Sequence, residues 1–119
     1  MTKMENSKQY DLEERTFKFA KRIGGFVKKL PMNIGNIEDA RQLIKSSGSV
    51  GANYIEANES LSKKDFAMRI KISRKEAKES RFWLRLIEPT DNQDKEKGVL
   101  IQESTELMKI FGSIVEKSK

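Results

Sequence analysis

Between Lys63 and Glu88 the residues Phe66, Ile70, Ser73, Ala77, Ser80, Leu84 and Ile87 recur at alternating spacings of four and three. That interval keeps them on one side of an α-helix but scatters them over both sides of a strand, so the segment is expected to be an amphipathic helix. Small Ser73, Ala77 and Ser80 in mid-seam would face bulky residues from a neighbour. Three other stretches carry helical spacing, and none shows sustained two-residue alternation. Breaks at Pro31 to Asn36, Asn58 to Ser62 and Pro89 to Asn92 set the four apart.

The first helix is expected over 11–30, with Asp11 as N-cap, Glu13 and Glu14 in the first turn and Lys28 and Lys29 near the C-terminus. Leu12, Phe19, Ile23, Phe26 and Leu30 form its stripe. Gly24 and Gly25 weaken it, and close approach of another helix would account for them. The second is expected over 37–57, with Asn36 as N-cap. Ile37, Ala40, Ile44, Gly51 and Ile55 line one face, widened by Leu43, Val50 and Tyr54, and small residues from Ser46 to Ala52 permit tight contact. The third, 63–88, opens on Ser62 and Asp65, a pair resembling a capping box. The fourth, 94–117, would bury Leu100, Leu107, Phe111 and Ile114, with Val99, Ile110 and Val115 alongside.

Residues 1–10 are polar and are expected to form a flexible N-terminal segment that lacks the apolar region of a secretory signal. Helices this long, joined by short breaks, pack as antiparallel neighbours. The expected fold class is therefore all-α, an antiparallel up-down four-helix bundle over 11–117 in one domain.

The chain has 119 residues and neither cysteine nor histidine. Disulfides, thiolate nucleophiles, Ser-His and Cys-His pairs and most zinc, haem or iron–sulfur ligation are thereby excluded. No catalytic residues, metal or cofactor are expected. A carboxylate metal site built from Glu56, Glu76 and Glu79 is the remaining enzymatic alternative. No apolar run approaches the roughly 20 residues needed to span a membrane, and the cytoplasm is the expected compartment.

The net charge of +6 is unevenly placed. It is +4 over 1–35, −2 over 36–60, +5 over 61–88 and −1 over 89–119. On the third helix Lys64, Lys71, Lys75, Lys78 and Arg85 cluster opposite the seam, with Phe82 among them. Such a row can neutralise a phosphate backbone while the aromatic ring stacks on an unpaired base; a solvated lysine face is the plainer reading. Met68, Ile72 and Trp83 fall on the flank and back of the same helix and point to a subunit contact. On the second helix Ser49, Asn53 and Glu56 form a polar stripe, read first as a solvent face.

Leu43 to Ile87 carries three further motifs. These are Ser-Val-Gly-Ala-Asn-Tyr-x-Glu-Ala (Ser49 to Ala57), Ser-Lys-x-Asp-Phe (Ser62 to Phe66) and Lys-Glu-Ala-x-Glu followed by aromatic-Trp-Leu (Lys75 to Leu84). Together they resemble the four-helix-bundle family named after proteins encoded in intervening sequences of 23S ribosomal RNA. The resemblance implies an antiparallel bundle and a ring-like homopentamer. It also implies kinship with the accessory variability determinant of diversity-generating retroelements, a basic barrel suited to binding RNA or DNA and a reverse transcriptase. Ser49, Asn53 and Glu56 fall on the family's Ser…Asn…Glu signature, and Glu76 and Glu79 on its later glutamates. If buried between helices, these groups would hydrogen-bond one another and fix register.

The leading expectation is a non-catalytic, oligomeric bundle that binds nucleic acid through basic surfaces of the first and third helices. The alternative is a protein–protein scaffold with no nucleic-acid binding.

Overall fold

The second and third helices each open on a side chain that accepts an otherwise unpaired backbone N–H. The computed structural model describes the backbone of residues 3–119 and the side chains of residues 11–119. Among these, α1 spans Lys3–Lys28, α2 Ile34–Asn58, α3 Lys63–Leu86 and α4 Asp94–Lys117, the last preceded by a 3-10 turn at Asp91–Gln93, and no strand is present. Ser62 caps α3 as expected, its Oγ accepting the Asp65 N–H at 3.1 Å. Asn33, not Asn36, caps α2: its Oδ1 accepts the Asn36 N–H at 2.8 Å. Helix α1 is assigned from Lys3, so Asp11 lies within it and is no cap. The expectation of a flexible segment over residues 1–10 lies outside the residues whose side chains are described.

The helices pack in the order α1, α2, α3, α4, each against its neighbours in sequence, with α1 closing sparsely on α4. The result is an antiparallel four-helix bundle in which α1 and α3 sit on opposite corners. Its core takes Leu12, Phe19, Ile23, Phe26 and Leu30 from α1 and the link after it, and Ile70, Ala77, Leu84 and Ile87 from α3 and the link after it. From α4 come Leu100, Leu107, Phe111 and Val115, with Ile114 only partly buried and Val99 exposed, so the α4 stripe is turned slightly from the expected one.

Helix α2 departs more. Its buried face is Asn36, Ala40, Leu43, Ser47, Val50, Tyr54 and Ala57, again at spacings of four and three, whereas Ile44 and Ile55 are each 51% exposed. Polar Asn36 and Ser47 occupy seam positions, so ranking residues by hydropathy turned the predicted stripe toward the isoleucines.

The buried serines carry their own hydrogen bonds. Ser46 and Ser80 meet across α2 and α3 at 2.9 Å, and Ser80 Oγ also donates to the Glu76 carbonyl. Ser73 Oγ donates to the Val50 carbonyl of α2 at 2.9 Å. At the end of the bundle holding two of the links, Asn36 joins both. Its Nδ2 donates to the Pro31 and Glu88 carbonyls at 3.0 and 2.9 Å, and its Oδ1 accepts the Glu88 N–H at 3.0 Å. Gln93 adds a bond to the Phe26 carbonyl at 2.9 Å.

Close helix approach is real at one glycine only among those singled out. A Cβ on Gly51 would lie 2.9 Å from Thr16 Oγ1 and 3.2 Å from Thr16 Cβ, whereas Gly24, Gly25 and Gly48 have nothing within 4 Å. The explanation expected for Gly24 and Gly25 therefore does not hold within the protomer. Gly51→Ala should destabilise the bundle by about 1–3 kcal/mol, because Thr16 is buried and cannot withdraw. Gly48→Ala should stabilise the protomer by about 0.5–1 kcal/mol through helix propensity. Denaturant unfolding of the two variants checks both signs.

Candidate nucleic-acid interface

Because Ser73, Ala77 and Ser80 fill the buried side of α3, its long charged side chains have only the outer side to occupy. Lys64, Lys71, Lys75, Lys78, Phe82 and Arg85 are all exposed, Phe82 by 53%. Between Lys63 and Leu86 stand nine cationic and three anionic residues, a net charge equal to the +6 of the whole chain.

Among the described residues none of those nine cations forms a salt bridge; the ion pairs lie elsewhere. Arg15 of α1 grips Glu103 of α4 with two hydrogen bonds at 2.7 and 2.8 Å and reaches Glu106 at 3.1 Å. Arg22 pairs with Glu96 at 2.6 Å. Two of the cations expected to make α1 a binding surface are thus spent on the α1/α4 seam. Since α1 and α3 lie on opposite corners, their outer faces also point away from one another. The basic surfaces expected on the first and third helices are therefore not continuous in one protomer; Lys18, Lys21 and Lys28 of α1 also form no salt bridge among the described residues, but α3 carries the larger set, nine.

Flanking positions on α3 are used for packing. Arg81 donates to Thr105 Oγ1 of α4 at 3.3 Å, and Arg74 lies beside Gly112 of the same helix. Toward α2, Arg69 donates to Asn53 Oδ1 at 3.0 Å while Asn53 Nδ2 donates to the Ser49 carbonyl at 2.9 Å. The polar stripe therefore edges the α2/α3 seam, half-buried at Ser49, Asn53 and Glu76 and exposed at Glu56 and Glu79. It is neither a bare solvent face nor a buried network of its own members. Arg69, which sequence reasoning missed, is the residue that ties it to α3; its position, seven residues before Glu76 on the same flank, was the available signal.

Burial, and then the adjacent Glu79 carboxylate, raise the Glu76 carboxyl above the usual glutamate range, against the opposing pull of Lys75 and Lys45. No group of three carboxylates able to hold a metal ion occurs among the described residues, so Glu56, Glu76 and Glu79 do not assemble into one.

The apolar residues expected at a subunit contact separate. Trp83 packs against the core edge and Ile72 is half-buried, while Met68 is 47% exposed. The protomer does have a place for Trp83, which is partly buried against the core. A second apolar strip went unpredicted: Phe17 follows Thr16 on α1, and Ile44 and Ile55 share the edge of α2 that holds Gly51, all three exposed.

Together these features define a small all-α protein, an up-and-down bundle whose α3 carries nine cations that form no salt bridge among the described residues. The chain belongs to the 23S rRNA-intervening sequence protein family, whose sequence profile matches residues 8–113. It is similar to a solved structure, a protein with unknown function from the S23 ribosomal protein family of Bacteroides thetaiotaomicron. The likeness covers 92% of this chain and 98% of that one, at 29% identity and a TM-score of 0.76. No curated relative matches the chain. Among the described residues no helix is long and apolar enough to cross a membrane.

The raised Glu76 carboxyl has a thermodynamic sign. Its ionised form is disfavoured by folding, so its contribution to stability is present in acid and lost as pH rises through the raised value. Glu76→Gln should raise Tm at neutral pH, and the difference from wild type should vanish once the pH falls below the ordinary glutamate range. Thermal unfolding followed by circular dichroism across pH checks this.

Proposed function

We propose that this protein is a non-catalytic, self-associating helical bundle of the cytoplasm that binds nucleic acid through the outer face of α3. The observation carrying this reading is that none of the nine α3 cations has an ion-pair partner among the described residues, whereas Arg15 and Arg22 of α1 do. Clustered cations without counterions repel one another, and a polyanion relieves that repulsion while releasing its own condensed ions. The family is named for 23S rRNA intervening sequences and the Bacteroides relative is placed in a ribosomal protein family; an RNA partner fits both names. Long side chains on a convex helix contact phosphates rather than base edges in a groove, so sequence preference should be slight.

If Lys64, Lys71, Lys75, Lys78 and Arg85 each meet a phosphate, affinity for an RNA strand should fall about 100-fold between about 50 and about 200 mM salt. The triple variant Lys71→Glu, Lys75→Glu, Lys78→Glu should abolish binding while remaining helical. Unchanged binding by that variant would remove α3 as the site.

Self-association is supported by Phe17, Ile44, Ile55 and Met68, large apolar side chains that the protomer leaves exposed. A pentamer is favoured by the family resemblance. Light scattering coupled to size exclusion should give a mass near five protomers, and Ile44→Glu should reduce it. A monomeric mass at micromolar concentration would rule the assembly out. A scaffold for another protein is the second reading, resting on the same exposed strip.

A further inference from the structure

The outer face of α3 is divided along its length. At about 100° per residue, Lys71, Lys78 and Arg85 fall toward the α4 side, the side also occupied by Arg74 and Arg81. Met68 and Leu86 fall toward the α2 side, and they are 47% and 48% exposed. Lys64, Lys75 and Phe82, the last 53% exposed, run between the two, so the ring stands among the lysines. Phe82 and Leu86 are one turn apart, and the Phe82 ring is held edge-on against Trp83, with centroids 4.9 Å apart. The ring therefore has an ordered neighbour on one side and water on another.

We infer that this face takes single-stranded rather than duplex nucleic acid, with phosphates following Lys71, Lys78 and Arg85 and an unpaired base stacked on Phe82. The inference rests on the α3 reading above and deepens it. A duplex offers a rod only its sugar–phosphate surface, since its bases are stacked inside and the deep major groove of A-form RNA does not admit side chains. Against a duplex the cations would be used and the Phe82 ring among them left pressed on charged backbone. A single strand presents both chemistries at once, a charged edge and a row of π-faces, and it can straighten to follow a track of about 31 Å from Lys64 to Arg85. Stacking and phosphate pairing do not read the 2′-hydroxyl, so RNA and DNA strands should bind alike.

The test titrates the full chain with a short labelled oligouridylate, the matching oligodeoxythymidylate, and the oligouridylate annealed to oligoadenylate. Both single strands are expected to bind comparably and more tightly than the duplex. Phe82→Ala should weaken single-strand binding between about five- and about a hundredfold while leaving duplex affinity and salt slope unchanged. Phe82→Tyr, which keeps the ring, should restore binding. Duplex binding as tight as single-strand binding, or a Phe82→Ala variant indistinguishable from wild type on the single strands, would overturn the inference and leave α3 standing as a phosphate-binding face. Failure of all three probes to bind would bring down the nucleic-acid reading with it.

Discussion

The contact on which the architecture depends is the seam between α2 and α3, where Ser46 meets Ser80 and Ser73 reaches the Val50 carbonyl. Small side chains bring the two helices close, and each serine finds its acceptor on a helix backbone or on the facing hydroxyl, so little is lost by burying it. The same small residues decide where the charge goes. A helix whose inner side is Ser73, Ala77 and Ser80 has no inward room for lysine or arginine, and nine cations are therefore displayed on the flanks and outside. Packing and surface electrostatics have one cause.

Arginine serves two purposes in this molecule, and position alone separates them. Arg15 and Arg22 face α4 across the most weakly closed seam and hold it with carboxylates. Such partly exposed pairs contribute modestly, about 1 kcal/mol or less each, yet they supply much of the direct bonding between those two helices. The α3 cations look into solvent from the opposite corner. A sequence count cannot distinguish the two sets, because both appear as a local basic excess.

Much of the fold was legible. The four-and-three spacing on α3 was read correctly because its polar members are small and recur between Ile70 and Leu84. On α2 the same spacing was present but disguised: Asn36 and Ser47 hold core positions, and Ile44 and Ile55 advertise a neighbouring face. Asn36 has the look of a cap because it precedes apolar Ile37, whereas its amide is spent across two links. The bases of the candidate interface were legible as residues but not as partners. That Arg15 and Arg22 are neutralised and that Arg69 binds Asn53 are facts of tertiary register, set by contacts between segments far apart in the chain.

Asn36 has a dynamic consequence. By bonding the carbonyls of Pro31 and Glu88 it couples the hairpin of α1 and α2 to that of α3 and α4 at one end of the rod. At the far end, where the α2–α3 link exposes Leu61 completely, the described residues give one long bond across helices, Asn58 to Glu13 at 3.2 Å. Spontaneous breathing should therefore begin at that far end and travel toward the clasp, so amide protons nearest the Pro31 and Pro89 bends exchange last.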